Sequence, residues 1–254
     1  MKSHSFTIAL MNMFALGAAC GSSAINGIAG TTEDRANSSS AAAGESGLCS
    51  RPCTPANTSS APADGLIADF TNPDGGGIRI PGEIVTYAAP KVAGLGAATY
   101  TTSQGALNVK VKAAPTSTPQ FLGVVVAFSN CIDASGFAGV QFTISGSLSG
   151  CTMQYATGDV EHQDMTFAAP FATGSVGSYP PQNRIAVDEL KSVPRTIKAP
   201  FVATDIRGNP PVPLDSSKLI STLWQFSVPV AAEGENYNPL CTGSLTIDDI
   251  KFYR

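Results

Sequence analysis

From residue 106 to 112 the chain alternates without a break. Leu107, Val109 and Val111 share one face; Asn108, Lys110 and Lys112 share the other. A period of two between apolar and polar side chains is the pattern of a half-buried strand. Similar runs recur along the C-terminal three quarters of the sequence, separated by clusters of Gly, Pro, Asn and Ser that break regular structure. They fall at residues 66–70, 121–128, 140–145, 152–157, 196–203, 221–228 and 244–253. The run 121–128 is apolar on both faces and predicts a central strand. Only residues 185–191 suit a short helix. Many short strands with almost no helix predict a sandwich or barrel.

The last run carries a further constraint. Leu245 and Ile247 fall on one face, Ile250 and Phe252 on the other, so the apolar phase flips at Asp248-Asp249. A strand with one buried face needs a bulge or a change of neighbouring layer there.

Upstream, the text has a different character. Lys2 is followed by an uncharged apolar stretch from Phe6 to Ala19, then Cys20 and Gly-Ser-Ser. A positive start, an apolar segment and small residues at a break make a secretory signal. The stretch is too short to span a bilayer, which takes about 20 residues. The cysteine at the break resembles the lipobox of bacterial lipoproteins, in which the signal is cut before a cysteine whose sulfur is lipidated. That resemblance implies residues 1–19 as signal peptide and Cys20 as the lipid-attachment site and membrane tether. Gly21, in place of a retention aspartate, points toward the outer membrane or cell surface. Cleavage near Ala19 with a secreted product is the alternative. Residues 20–63, dominated by Ser, Ala, Gly, Thr and Pro, lack the spaced large apolar residues needed to order a chain. They read as a flexible linker reaching roughly 35 Å. Residues 64–254 read as one domain. Charged residues make up 13% of the chain and form no basic run, so no nucleic-acid partner is expected. A monomer is expected.

Four stretches in order resemble the galactose-binding-like jelly rolls, many of them carbohydrate-binding modules. They are the start Gly65-Leu66-Ile67-Ala68-Asp69-Phe70, the middle run from Ile132 to Phe142, Leu214-Asp215-Ser216-Ser217-Lys218-Leu219-Ile220, and the end from Leu245 to Tyr253. The resemblance implies a jelly-roll β-sandwich of two antiparallel sheets. It also implies a structural Ca²⁺ between the first and last strands, where Asp69, Asp248 and Asp249 supply carboxylate oxygens. The family's acid after the first-strand Phe is absent, with Thr71 and Asn72 in its place.

The residues argue against most enzymes. Of the two histidines, His4 falls within the signal, which leaves His162. No Gly-x-Ser-x-Gly elbow accompanies it, and a histidine-based zinc site lacks ligands. Asp159, Glu161 and Asp164 are close in sequence but do not guarantee the opposed placement that glycoside hydrolysis needs. Trp224 is in phase with Phe226 and Val228 and reads as core. Tyr155 adjoins Gln154 on one strand, and spacing alone does not say which faces solvent. Tyr179 sits in a Pro-rich loop within the long connection 163–193, and long loops are often functional. Tyr155, Asp159, Glu161, His162 and Tyr179 are therefore the ligand-binding candidates, and no catalytic residue is assigned.

An oxidising compartment favours disulfides. Cys131 and Cys151, each beside a strand end, are expected to pair; Cys49 and Cys53 are the next expected pair, leaving Cys241 odd if Cys20 carries lipid. The sequence thus predicts a cell-surface or secreted, non-catalytic carbohydrate-binding protein with a polysaccharide or glycan as partner. The alternatives are a polysaccharide-degrading glycoside hydrolase and a structural or adhesion module that binds an envelope protein.

Overall fold

The computed structural model describes residues 53–71, 77–89, 96–160, 182–185, 190–203, 212–230 and 240–254. The chain divides into two units, Met1–Cys49 and Ser50–Arg254, and every described residue belongs to the second. After a 3-10 turn at Pro55–Asn57 come β1 (Thr58–Ser60), β2 (Leu66–Ala68), β3 (Gly82–Ala89), β4 (Gly96–Ser103), β5 (Ala106–Ala113), β6 (Gln120–Asp133) and β7 (Gly139–Ser149). Then follow β8 (Thr152–Asp159), β9 (Gln182–Ile185), β10 (Arg195–Pro200), β11 (Val202–Ala203), β12 (Val212–Pro213), β13 (Leu219–Val228) and β14 (Cys241–Tyr253).

These strands form a jelly-roll β-sandwich. The first sheet runs β1-β6-β13-β8-β9, with β3 also paired to β6. The second runs β10-β7-β14-β5-β4, with β2 paired to β14. β11 and β12 form a small separate ladder. All ladders are antiparallel except β1 on β6, which is parallel. No α-helix occurs among the described residues; Ile185, where a helix was expected to begin, ends β9.

The inner faces meet in one core. Leu107, Val109 and Val111 of β5 are buried while Lys110 and Lys112 are exposed, as their alternation requires. β6 is flanked by β3 and β13 and buries both faces over most of its length, which is why its sequence is continuously apolar. Across the layers, Phe142 of β7 packs on Tyr155 of β8 and Trp224 of β13, with ring centroids 4.8 and 5.3 Å away. Tyr155 and Trp224 are register partners 5.4 Å apart. Such pairs contribute about 0.5–1.5 kcal/mol each beyond the area they bury.

The phase flip in β14 is a bulge. Pairing with β7 shifts register between Asp248 and Lys251, and Asp249 takes φ +49°, an uncommon left-handed conformation that aspartate tolerates better than most residues. Leu245 and Ile247 before the bulge and Ile250 and Phe252 after it are all buried.

Three expectations change. The folded unit starts upstream of Asp64: Thr58–Ser60 lie in register with Cys131–Asp133. Backbone pairing orders this polar segment, which has no apolar pattern to reveal it. Several strands fall outside the alternating runs of the sequence, β3 and β4 being the longest of them. In β4 (GAATYTTS), Ala98 is the one buried residue on an edge strand; β3 (GEIVTYAA) was passed over despite Ile84 and Val85. The disulfides are Cys53–Cys131 and Cys151–Cys241, with Cα separations of 5.8 and 5.1 Å, rather than Cys131–Cys151 and Cys49–Cys53. Along β13, Leu219 pairs with Ile132 and Ser227 with Thr152. Cys131 and Cys151 therefore sit at opposite ends of that strand, roughly 25 Å apart at about 3.3 Å per residue, beyond the reach of a disulfide. Cys20 and Cys49 lie outside the described residues.

Candidate functional site

Alternation along four strands builds the outer face of the first sheet. On β13, Trp224 and Phe226 turn into the core, so Leu223, Gln225 and Ser227 turn out. On β8, Met153 and Tyr155 turn in, so Thr152, Gln154 and Ala156 turn out. On β6 the outward set is Phe121, Gly123, Val125 and Ala127, and on β3 it includes Val85 and Tyr87.

Register arranges these residues in rows. Val85, Val125, Leu223 and Ala156 lie side by side across the sheet. Together with Ala127 they form a second, smaller apolar cluster, each of its β6, β8 and β13 members at most 3% exposed. The next row is Tyr87, Gly123, Gln225 and Gln154, and Arg184 of β9 is the register partner of Gln154. Beyond it Phe121, Ser227 and Thr152 form a third row, where the Phe121 ring is 37% exposed. The face thus grades from a buried apolar floor to an open rim.

Tyr87 owes its position to Gly123. A Cβ on Gly123 would overlap the Tyr87 ring, so the missing side chain lets the ring lie over the strand. From there its hydroxyl donates to Gln225 Oε1 at 3.1 Å. Gln225 and Gln154 are 9% and 8% exposed, and each amide carries both donors and an acceptor. Aromatic rings beside planar amides over small residues can accept a ring-shaped ligand with apolar faces and hydroxylated edges.

The expected site residues fall elsewhere. Tyr155 is in the core: Gln154 took the outward position and Tyr155 the inward one. Its hydroxyl lies 3.1 Å from Thr157 Oγ1, and burial pushes the phenol well above its ordinary range. Asp159 is completely buried, and its Oδ2 accepts the Asp215 backbone N–H at 2.7 Å. It anchors the turn before β13, where ligand has no access to it. In that turn the Asp215 carboxyl is itself held low. Burial raises it, and hydrogen bonds from Lys218 and Ser217 outweigh the burial. Glu161, His162 and Tyr179 lie outside the described residues. Tyr87 and Gln225 were missed, although Gln225 between Trp224 and Phe226 is a polar residue at an outward position of an apolar strand.

The three aspartates expected to hold Ca²⁺ meet at the β14 bulge. Asp69 Oδ1 accepts from the Thr71 N–H and hydroxyl at 3.1 and 2.8 Å, and its Oδ2 lies 3.7 Å from Arg79 Nε. Asp249 pairs with Lys251 at 2.7 Å. Asp248 accepts its neighbour's N–H at 2.6 Å, yet burial, with the charges of Asp249 and Asp69 adding to it, pushes its carboxyl above the usual range. Among the described residues no three His, Cys, Asp or Glu side chains are placed to hold a metal. As placed, Asp69 and Asp249 lie against cationic side chains, and Asp248 accepts a backbone N–H.

No protein-family model matches the chain, and no curated protein matches it. Among solved structures, the Family 11 Carbohydrate-Binding Module of cellulosomal cellulase Lic26A-Cel5E of Clostridium thermocellum is 14% identical with a TM-score of 0.41, over 74% of this chain and 92% of that one. The agarase AgWH50C is 11% identical with a TM-score of 0.43, over 74% of this chain and 24% of that one. The Family 30 Carbohydrate-Binding Module of cellulosomal cellulase Cel9D-Cel44B of Clostridium thermocellum is 12% identical with a TM-score of 0.36, over 68% and 93%. Likenesses this remote carry no inference about the ligand of this chain.

Proposed function

We propose that this domain is a non-catalytic carbohydrate-binding module that holds a neutral glycan against the outer face of its first sheet. The observation that carries the reading is the row Tyr87–Gly123–Gln225–Gln154, with the Tyr87 ring seated over a glycine and hydrogen-bonded to an amide. The rings of Tyr87 and Phe121 offer apolar surface to the C–H face of a sugar. The amides of Gln225 and Gln154 offer paired donors and acceptors to vicinal hydroxyls, and such groups fix orientation in a mostly apolar site. The chain is exported, with Cys20 as its lipid anchor and the following residues as the spacer between membrane and domain. Palmitate labelling that is lost in Cys20→Ser supports the anchor; labelling that survives the substitution rejects it.

The binding reading is tested by screening the full chain against neutral polysaccharides. Affinity for the best ligand should fall at least tenfold, about 1.4 kcal/mol, in Tyr87→Ala and in Gln225→Ala, with the melting temperature little changed. Tyr87→Phe, which keeps the ring and loses the hydroxyl, should fall between. If no neutral glycan binds and a specific envelope protein is captured through this face, the module is an adhesin.

A further inference from the structure

The outer face of the second sheet has a different chemistry. Thr99 of β4, Lys110 of β5, Ser244 of β14 and Ser147 of β7 lie in register and are exposed. One row over, exposed Lys112 stands between Ala97 and Thr242. Rows two residues apart on a strand are about 6.6 Å apart, and neighbouring strands about 4.8 Å, so Lys110 has a hydroxyl residue on either side and Lys112 has one on its β14 side.

The lysines line a groove. Gly96, Ala97, Thr99, Lys110, Val111 and Lys112 enclose an open cavity of about 440 Å³. Its β4 wall is low because Gly96 and Ala97 are small. Gly96 has φ +151°, and a Cβ there would press on Ala113. Neither lysine pairs with a carboxylate among the described residues. Asp248, the carboxylate of this face, stands at the bulge beyond the Thr246 row. In a chain of net charge −4, this groove holds two cations and the Thr99 hydroxyl, with Thr242 and Ser244 in the adjoining strand and no acid among its described lining residues.

The geometry points to a second binding site in this groove, for a glycan that carries carboxylate or sulfate groups. It is separate from the neutral-sugar site on the opposite sheet. The ammonium groups are strongly hydrated point charges on flexible stems, so they take either anion without demanding a planar partner. The hydroxyls of Thr99, Thr242 and Ser244 donate to the same anionic groups or to neighbouring sugar hydroxyls. Single-stranded nucleic acid is disfavoured, since the groove offers no aromatic or guanidinium plane for bases to stack on.

The test is affinity electrophoresis of the full chain in gels containing polygalacturonate, dextran sulfate, a neutral mixed-linkage β-glucan or single-stranded DNA. Wild-type protein should be retarded by at least one of the two anionic glycans; comparing those gels tells carboxylate from sulfate preference. Retardation should weaken as salt rises. It should weaken roughly tenfold in the double variant Lys110→Gln, Lys112→Gln, a loss of about 1.4 kcal/mol. It should persist in Lys110→Arg, Lys112→Arg and in Gln154→Ala. Equal retardation of wild type and the Gln double variant overturns the proposal, as does no retardation by either anionic glycan. Equally strong retardation by DNA also overturns it, because the groove would then select charge alone. Loss of neutral-glucan binding in Gln154→Ala bears only on the opposite face.

Discussion

The two outer faces come from the same strand geometry and differ in what the alternate residues carry. On the first sheet the outward positions hold Gly123, Val125, Ala156 and Leu223, with Tyr87 laid across the glycine, and most of this surface is buried. On the second sheet they hold Thr99, Lys110, Lys112, Ser244 and Ser147, all exposed. The first face is shaped: Gly123 makes room for the Tyr87 ring, and the Gln225 amide accepts a hydrogen bond from its hydroxyl. The second is charged, and its open groove is lined by Lys110 and Lys112. One sandwich therefore presents a face formed by apolar, aromatic and amide side chains and a face that carries lysines and hydroxyls, and alternation lets each vary without disturbing the shared core.

The largest disturbance to that comparison comes from the disulfides, because each belongs to a different sheet. Cys53–Cys131 staples β6 of the first sheet, closing a sequence separation of 78; Cys151–Cys241 ties the start of β14 in the second sheet to the β7–β8 turn, across 90. Loop-closure entropy assigns about 4.5 kcal/mol to bridges of this span. Cys53→Ser with Cys131→Ser should lower unfolding free energy in denaturant by roughly 2–5 kcal/mol and weaken neutral-glycan binding more than anionic-glycan retardation. Cys151→Ser with Cys241→Ser should reverse that order. Equal loss at both faces would mean that they unfold as one unit.

A smaller effect isolates the shape of the first face. Gly123→Ala places a methyl where the Tyr87 ring lies, and overpacking of this kind costs about 1–3 kcal/mol. Neutral-glycan affinity should drop as far as in Tyr87→Ala, and anionic-glycan retardation should stay at the wild-type level. Unchanged affinity, measured calorimetrically, would remove Tyr87 from the site.

The smallest effect concerns the acidic corner of the second sheet. The Asp248 carboxyl is raised above 3.8, first by burial, so the folded state binds its proton more tightly than the unfolded one. Stability is then lost as pH rises from the unfolded value through the folded one. Asp248→Asn should melt higher than wild type at pH 7, and the advantage should vanish below about pH 3.8. Calcium-dependent stabilisation of wild type that Asp248→Asn abolishes would instead show the three aspartates regrouping around a cation.

Much of the fold was legible in the sequence. The alternation of β5 and the phase flip of β14 appear in the structure as a half-buried strand and a bulge at Asp249. Trp224 is core, as its phase with Phe226 indicated. The candidate site was less legible for a physical reason. Period two says that Gln154 and Tyr155 face opposite ways, but not which way is in; Phe142, arriving from the other sheet, decides that. Asp159, expected to touch ligand, is a buried anchor whose partner Asp215 is remote in sequence, so spacing gives no sign of it. The row Tyr87–Gly123–Gln225–Gln154 draws on four strands, and sequence spacing carries no record of register between them.

The Cys53–Cys131 bridge sets the path that a pull on the preceding chain would take. A pull applied through the residues before it passes from one sulfur to the other and enters β6 at Cys131. β6 is paired with β13 over residues 120–127 and at Ile132, and with β3 over residues 121–128. The short ladder at Thr58–Ser60 lies outside that path, so tension does not peel it open. Under oxidising conditions the domain would hang from the middle of its own sheet by a covalent link. Reduction would transfer the load to three residues of backbone hydrogen bonds, and the chain would lengthen before the sandwich gave way.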